Sequence, residues 1–227
     1  MPPRSGGRAR SDAWLLGLAL AGGVLDATSY IALGKVFTAN MTGNTVLLAV
    51  ALARGSGAAA ARSAVALAGF SLGAAAGVMV IASSARPWPA RAHTALVFEL
   101  LALVALLILW LVIGVASIRF GLIAVAGSAM GLQSAAVRAS DVRGVNTTYM
   151  TSTLLNAIAR LVERARRRST ERDGPSLPGA AWVTYGIGAL VAAVAVPAWQ
   201  AGIVGIPLAI VATVTVAGRA QRAKEAT

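Results

Sequence analysis

Residues 94–115 read TALVFELLALVALLILWLVIGV, an apolar run in which Glu99 is the single charged side chain. A helix needs about 20 apolar residues to cross the hydrocarbon core of a bilayer, which is about 30 Å thick. The run is long enough to do so, and it is too apolar for a surface helix of a soluble domain. This stretch predicts an integral membrane protein.

The composition of the rest of the chain favours the same class of protein. Of its 227 residues 57% are hydrophobic and only 12% are charged, whereas soluble domains carry about 25% charge. The net charge is +12, but the basic residues lie between apolar runs and are not interleaved with stacking aromatics. We therefore expect a lipid bilayer as the partner, with anionic headgroups near the basic residues, and no nucleic acid.

Several kinds of chemistry lack the residues they need. The chain has no cysteine, and His93 is its one histidine. Neither a P-loop nor an H-E-x-x-H motif occurs, and no serine has a histidine base beside it. We expect no catalytic residues, no metal site and no cofactor, and therefore no enzyme.

Apolar runs recur along the whole chain and predict an all-α, polytopic transmembrane bundle, a single membrane domain over 1–227. Two of the runs, 40–55 and 147–161, are short enough to be re-entrant or interfacial segments. We predict about eight spans, with six as the alternative. The runs lie at about 13–33, 40–55, 62–84, 94–115, 118–137, 147–161, 180–198 and 201–217.

The positive charges predict the orientation. With eight spans and a cytoplasmic N-terminus, fifteen of the 20 Lys and Arg residues fall inside and five outside. Both termini and the most basic loop, 162–179, are then cytoplasmic. This charge count does not separate six spans from eight.

The two halves of the chain resemble each other. A shift of 109 residues places Val36, Thr38, Met41 and Thr42 on a second V-x-T-x-x-M-T motif at 145–151. The hydropathy pattern repeats as well, with repeat one at about 13–115 and repeat two at about 118–217. Four spans per half make the repeats parallel and three make them inverted, and the charge pattern favours four.

Both motifs open a short run and are rich in hydroxyl and amide side chains. Such groups cap helix starts, but each motif holds more of them than a cap needs. Polar groups at membrane depth also mark binding sites, and corresponding short helices in two repeats point to a transporter site. Capping and substrate binding both remain open. The clusters are Thr38, Asn40, Thr42, Asn44 and Thr45, and Asn146, Thr147, Thr148, Tyr149, Thr151, Ser152 and Thr153.

Four segments carry a resemblance to a known family. Residues 22–27 read GGVLDA, 34–44 read GKVFTANMTGN, 131–133 read GLQ and 147–151 read TTYMT. The chain resembles the YoaK family of bacterial inner-membrane proteins over essentially its whole length. Ser152 departs from the glycine that commonly follows the second Met-Thr pair. The resemblance implies a multi-pass protein of the bacterial inner membrane, and it implies little about substrate because the family's function is unknown.

Ionisable side chains within apolar runs are candidates for function because they are costly in a bilayer. Asp26 lies inside the first run, and Arg138 on the equivalent helix could pair with it or with Asp141. Gln133 faces the same axis between the halves. Glu99 lies about two turns from Arg91, and we expect its carboxylate to reach the outer interface.

Glycines predict close helix packing. Gly69, Gly73 and Gly77 form one stripe of a helix, and Gly186 and Gly188 predict a similar face on the seventh run.

Our leading hypothesis is a small-molecule secondary transporter or permease, for which proton coupling is an option, with a polar site between the repeats. The alternative is a membrane scaffold or sensor that docks partners through 162–179. Because a chain of 227 residues is small for a transporter, a homodimer is a further expectation. The candidate substrate-binding residues are Asp26, Thr38, Asn40, Thr42, Asn44, Gln133, Arg138, Thr147, Thr148 and Thr151.

Overall fold

The computed structural model describes residues 5–82, 90–140, 153–159, 162 and 177–225, and the regular elements in these ranges are helices. The predicted all-α, polytopic membrane bundle is confirmed. Two 3-10 turns, Ala90–Ala92 and Gln200–Val204, accompany the helices, and residues 153–159 are helical too. The helices are α1 (Ser5–Ala32), α2 (Met41–Ala53), α3 (Gly57–Ala82), α4 (His93–Ile113), α5 (Val115–Arg138), α6 (Leu177–Trp199) and α7 (Gly205–Glu225).

Helix length separates the spanning segments from the short ones. Among the described residues, five apolar stretches are long enough to cross a membrane, and the 44-residue stretch Leu177–Ala220 contains α6 and most of α7. At 1.5 Å per residue that stretch has room for two passes, one on each side of its 3-10 turn. Helix α2 has 13 residues and is about 20 Å long, which is less than the hydrocarbon thickness.

Helix α2 does not carry the chain across the membrane. Gly34 follows the end of α1, and its carbonyl accepts a hydrogen bond of 2.9 Å from Arg62 Nε in the second turn of α3. The end of α1 and the start of α3 therefore lie at the same end of the bundle. The prediction of a span at 40–55 is wrong, because this run is too short and both its ends return to one side. The six-span alternative fits, and the four-span first half that favoured parallel repeats is wrong with it.

Glycines bring α3 and α5 into backbone contact. A Cβ on Gly69 would meet Ala124, and one on Gly73 would meet Ser128, in each case closer than van der Waals contact. Ser128 Oγ also donates a hydrogen bond of 3.1 Å to the Gly69 carbonyl. The residue numbers rise together along both helices, so α3 and α5 are parallel. The predicted packing role of this stripe is confirmed, and its partner lies within the same chain.

A second glycine contact joins α1 and α6. A Cβ on Gly23 would meet the Tyr185 carbonyl, and one on Gly188 would meet the Leu20 carbonyl. Ala19 and Ala181 pack together one turn earlier on their helices, so α1 and α6 are parallel as well. A Cβ on Gly186 would meet no described atom of another element within 4 Å, so the predicted packing face of α6 uses Gly188 and not Gly186.

Candidate functional site

The carboxylate of Asp26 lies in the interior, two turns before the end of α1, with only 2% of the residue exposed. Its Oδ1 accepts hydrogen bonds from the backbone N–H of Thr38 at 2.7 Å and of Ala39 at 2.6 Å. The Thr38 hydroxyl lies 3.3 Å from the same oxygen. Oδ2 accepts from Asn40 N–H at 3.1 Å and from the Tyr185 hydroxyl at 2.5 Å. Donors from the start of α2 and from α6 therefore converge on one carboxylate.

The chain reaches Asp26 by a sharp reversal after α1. Gly34 and Lys35 adopt positive φ angles of 103° and 62° and turn the backbone back toward the bundle. Residues 38–40 then present three consecutive N–H groups at the start of α2, where the helix dipole is positive. Because three successive backbone N–H groups donate to its carboxyl oxygens, Asp26 is the anchor that holds the re-entrant α2 in the bundle.

Most polar side chains of the first motif have structural partners. Asn44 is fully buried; its Oδ1 accepts from Phe37 N–H at 2.9 Å and its Nδ2 donates to the Phe37 carbonyl at 2.6 Å. Asn40 Oδ1 caps α2 by accepting from Gly43 N–H at 3.1 Å. Thr42 is exposed. Of the two interpretations of this motif, capping and turn formation account for Thr38, Asn40 and Asn44.

Gln133 on α5 faces α1 and α6 in the centre of the bundle. The residue is 1% exposed, and its Nε2 donates to the Leu18 carbonyl at 3.0 Å. Its Oε1 is buried and has no hydrogen-bond partner among the described residues. A Cβ on Gly22 would lie 3.7 Å from Gln133 Nε2 and 3.8 Å from the Tyr185 ring, so Gly22 leaves space between the two.

Three helices thus bring polar side chains to one place in the interior. We call Asp26 of α1, Gln133 of α5 and Tyr185 of α6 the central polar cluster. Asp26 and Tyr185 bond directly, and Gly22 lies between Tyr185 and Gln133. In the described part of the chain no three His, Asp or Glu side chains form a metal-binding group. Within the cluster, Gln133 Oε1 is the acceptor that has no hydrogen-bond partner among the described residues.

The proposed Asp26–Arg138 pair is wrong. Arg138 is exposed at the end of α5, and the Asp26 oxygens are bonded to the start of α2 and to Tyr185 instead. The sequence could not show that the chain after α1 folds back and supplies backbone donors. Thr147, Thr148 and Thr151 lie outside the described residues, as does the 162–179 loop except for residues 162 and 177–179.

Two interior residues were missed or misplaced by sequence reasoning. Tyr185 was not selected, although a tyrosine beside Thr184 within an apolar run is a polar signal like those of the first motif. Glu99 does not reach the interface as expected, because its side chain is fully buried. It lies on the inner face of α4, between Leu96 and Leu103.

Comparisons with known proteins agree with this membrane architecture. The family model described as "Protein of unknown function (DUF1275)" matches residues 14–217. The chain is 29% identical over 199 residues to the UPF0700 transmembrane protein YoaK of Bacillus subtilis (strain 168), covering 86% of this chain and 88% of the relative. No solved structure matches. The chain therefore belongs to the DUF1275 family, as its resemblance to the YoaK proteins implied.

Proposed function

We propose that this protein is a secondary transporter or permease for a small molecule, with the central polar cluster as its binding site. The observation that carries the proposal is the buried Gln133 carboxamide, whose Oε1 has no partner among the described residues. A buried acceptor without a partner costs about 1–3 kcal/mol. Such a cost is understandable if a ligand supplies the missing donor.

The surroundings of Gln133 support this function. Gly22 leaves space beside the carboxamide, and the Asp26–Tyr185 pair lies one turn further along α1. The start of a short, re-entrant helix, α2, meets the same carboxylate. Short or interrupted helices that begin near the middle of the membrane are typical of transporter binding sites.

We also propose that the two halves are inverted repeats. Gly23 packs on Tyr185 as Gly131 packs on Phe70, and Gly188 packs on Leu20 as Gly73 packs on Ser128. The shift that relates Gly23 to Gly131 and Leu20 to Ser128 is one residue shorter than the shift of 109 residues that aligns the two V-x-T-x-x-M-T motifs. The first half has three long helices and α5, α6 and α7 form the second, and three crossings per half make repeats inverted.

If the halves are inverted repeats, the central polar cluster has no equivalent at the symmetry-related position. The glycine contacts place Phe70 opposite Tyr185 and Ser134 opposite Asp26, so the equivalent position between α3 and α5 lacks both the tyrosine hydroxyl and the acid. One site per chain follows.

The orientation expected from the charges holds for six spans. With both termini in the cytoplasm, three basic residues move outside and four move inside, so the positive-inside bias becomes slightly stronger. The location that we propose is the bacterial inner membrane. Arg54, Arg62 and Arg119 move outside, and Arg86, Arg91, Arg138 and Arg143 move inside.

Ligand-dependent thermal stability tests the proposed site. The detergent-purified protein is screened against a panel of metabolites and ions at two pH values. A ligand at about 100 times its Kd stabilises a folded protein by about 2.7 kcal/mol. We expect a stabilising compound whose effect is lost in Gln133→Leu. The matched control is Ser134→Ala, because the Ser134 hydroxyl bonds to the Met130 carbonyl of its own helix, at 2.6 Å, and to no other group in the described part of the chain.

The contrary outcomes have distinct meanings. A shift that survives in Gln133→Leu would place the ligand elsewhere and contradict the proposed site. If no compound stabilises a well-folded sample, the scaffold alternative becomes the better hypothesis. Partner capture by the 162–179 loop would then be the next measurement.

A further inference from the structure

Glu99 occupies an unusual position outside the central polar cluster. Its residue exposure is 0%, and neither Oε1 nor Oε2 has a hydrogen-bond partner among the described residues. The other buried side chains on this face of α4 include Leu96, Leu103, Leu106 and Trp110. The surroundings on the helix are therefore apolar.

The elements that pack on α4 offer no counter-charge to this carboxyl. They are α3, α5, α7 and the two 3-10 turns. None of the ionisable side chains described on these elements or on α4 forms a hydrogen bond with Glu99. These side chains are Arg62, Arg91, His93, Arg119, Arg138 and Arg219.

The positions of the nearest basic groups explain why. His93 and Arg91 lie six and eight residues before Glu99, about 9 and 12 Å along the helix axis. His93 Nδ1 is 3.1 Å from the Thr215 carbonyl. Arg62 Nε donates to the carbonyl of Gly34, which follows the end of α1. Arg119, Arg138 and Arg219 are exposed.

We propose that Glu99 is a proton-binding site, with one proton per chain. An isolated carboxylate in a bundle interior is strongly unfavourable, and a single oxygen ligand without neighbours is too poor a site for a metal ion. A proton needs one oxygen only: an O–H bond forms on Oε1 or Oε2, and the residue becomes neutral. On deprotonation the O–H bond breaks, the proton passes to water and the residue regains its negative charge.

Asp26 provides the contrast within the same bundle. It is also buried, but its carboxylate accepts from three backbone N–H groups and one tyrosine hydroxyl. Two buried acids in different surroundings take different roles: Asp26 is a structural anchor whose two oxygens are both bonded, and Glu99 exchanges a proton. Proton binding at Glu99 does not depend on the proposed substrate site, although it would give a transporter its coupling ion.

The test uses dicyclohexylcarbodiimide, an apolar reagent that adds to protonated carboxyl groups inside membranes without a leaving group. The full-length protein in detergent or in vesicles is treated at pH 5.5 and pH 8.5, and the adduct is located by peptide mass spectrometry. We expect one adduct on Glu99, at least tenfold less in Glu99→Gln and less at the higher pH. Asp26→Asn is the control and should retain the adduct.

Infrared spectroscopy makes the outcome decisive where the reagent fails to reach the residue. A folded wild-type sample should show the C=O stretching band of a buried carboxylic acid, and this band should be absent in Glu99→Gln. An adduct on Asp26 in place of Glu99 would overturn the proposal. So would the absence of both the adduct and the infrared band. Failure of the ligand screen, in contrast, would leave both signals unchanged.

Discussion

At the scale of single residues, the Asp26 carboxylate is the junction of the bundle. It joins α1 to the start of α2 through the N–H groups of residues 38–40 and to α6 through Tyr185. A sequence segment that looked like a ligand site is therefore first a structural anchor. The ligand contact that we propose lies instead at Gln133, whose Oε1 has no hydrogen-bond partner among the described residues.

The Asp26 carboxyl group and the Tyr185 hydroxyl should contribute differently to the stability of this junction. Asp26→Asn replaces one acceptor oxygen by an NH2 group that faces other donors, so we expect a loss of about 2–3 kcal/mol in the free energy of unfolding. Tyr185→Phe removes one donor and leaves three backbone bonds, so we expect about 1–2 kcal/mol. Thermal denaturation in detergent measures both. Equal effects, or a smaller effect of Asp26→Asn, would contradict the anchor role.

How far the site could be predicted depends on how far apart its residues lie along the chain. Asp26 and Gln133 were predicted as interior polar residues, because an acid or an amide within an apolar run is unusual. Asp26 and Tyr185 are 159 positions apart in the chain, and no local pattern connects them. The backbone donors were missed because the positive φ angles of Gly34 and Lys35 cause a reversal that the apolar pattern does not contain.

At the scale of helices, length and small residues decide the packing. Helix α2 is short and re-entrant, and the carbonyl of Gly34 is tied to α3 by Arg62. The apolar run of α2 predicted a helix, but it did not predict how deeply this helix enters the membrane. The stripe from Gly69 to Gly77 predicted a packing face, but its partner, α5, follows from the fold as a whole.

A pair of glycines on α6 tests the importance of backbone contact. Gly188→Ala places a methyl group against the Leu20 carbonyl of α1, so α1 and α6 must separate. We expect a loss of about 1–3 kcal/mol in stability. Gly186→Ala, whose methyl group meets no described residue within 4 Å, should be neutral or slightly stabilising, because alanine is the better helix former.

Thermal denaturation of the two variants side by side checks this prediction. Both substitutions add one methyl group to the same helix, so differences in helix propensity cancel. A similar stability for the two variants would mean that the α1–α6 contact at Gly188 is not tightly packed.

At the scale of the whole molecule, the sequence predicted a membrane bundle but overestimated its crossings. Apolar residues exposed on the outer faces, such as Val112, Val194 and Leu111, suit a surface that meets lipid. Hydropathy reports this lipid-facing surface well. It cannot report whether a short run crosses or turns back, because both choices bury the same apolar residues.

A small-molecule site at the central polar cluster requires that water and a small solute reach the space beside Gln133. The chain has no cysteine, so Gly22→Cys introduces a single thiol there. A Cβ at this position makes ordinary contacts of 3.7 Å and 3.8 Å, and the fold should be retained. Ala126→Cys, in the apolar core of α5, is the matched buried control.

The measurement is the rate at which a small, water-soluble methanethiosulfonate reagent modifies each variant in folded form. We predict that the thiol at position 22 reacts at least tenfold faster than the thiol at position 126. If the two react equally slowly when folded and equally fast when denatured, the interior is a closed core and the proposed site does not exist.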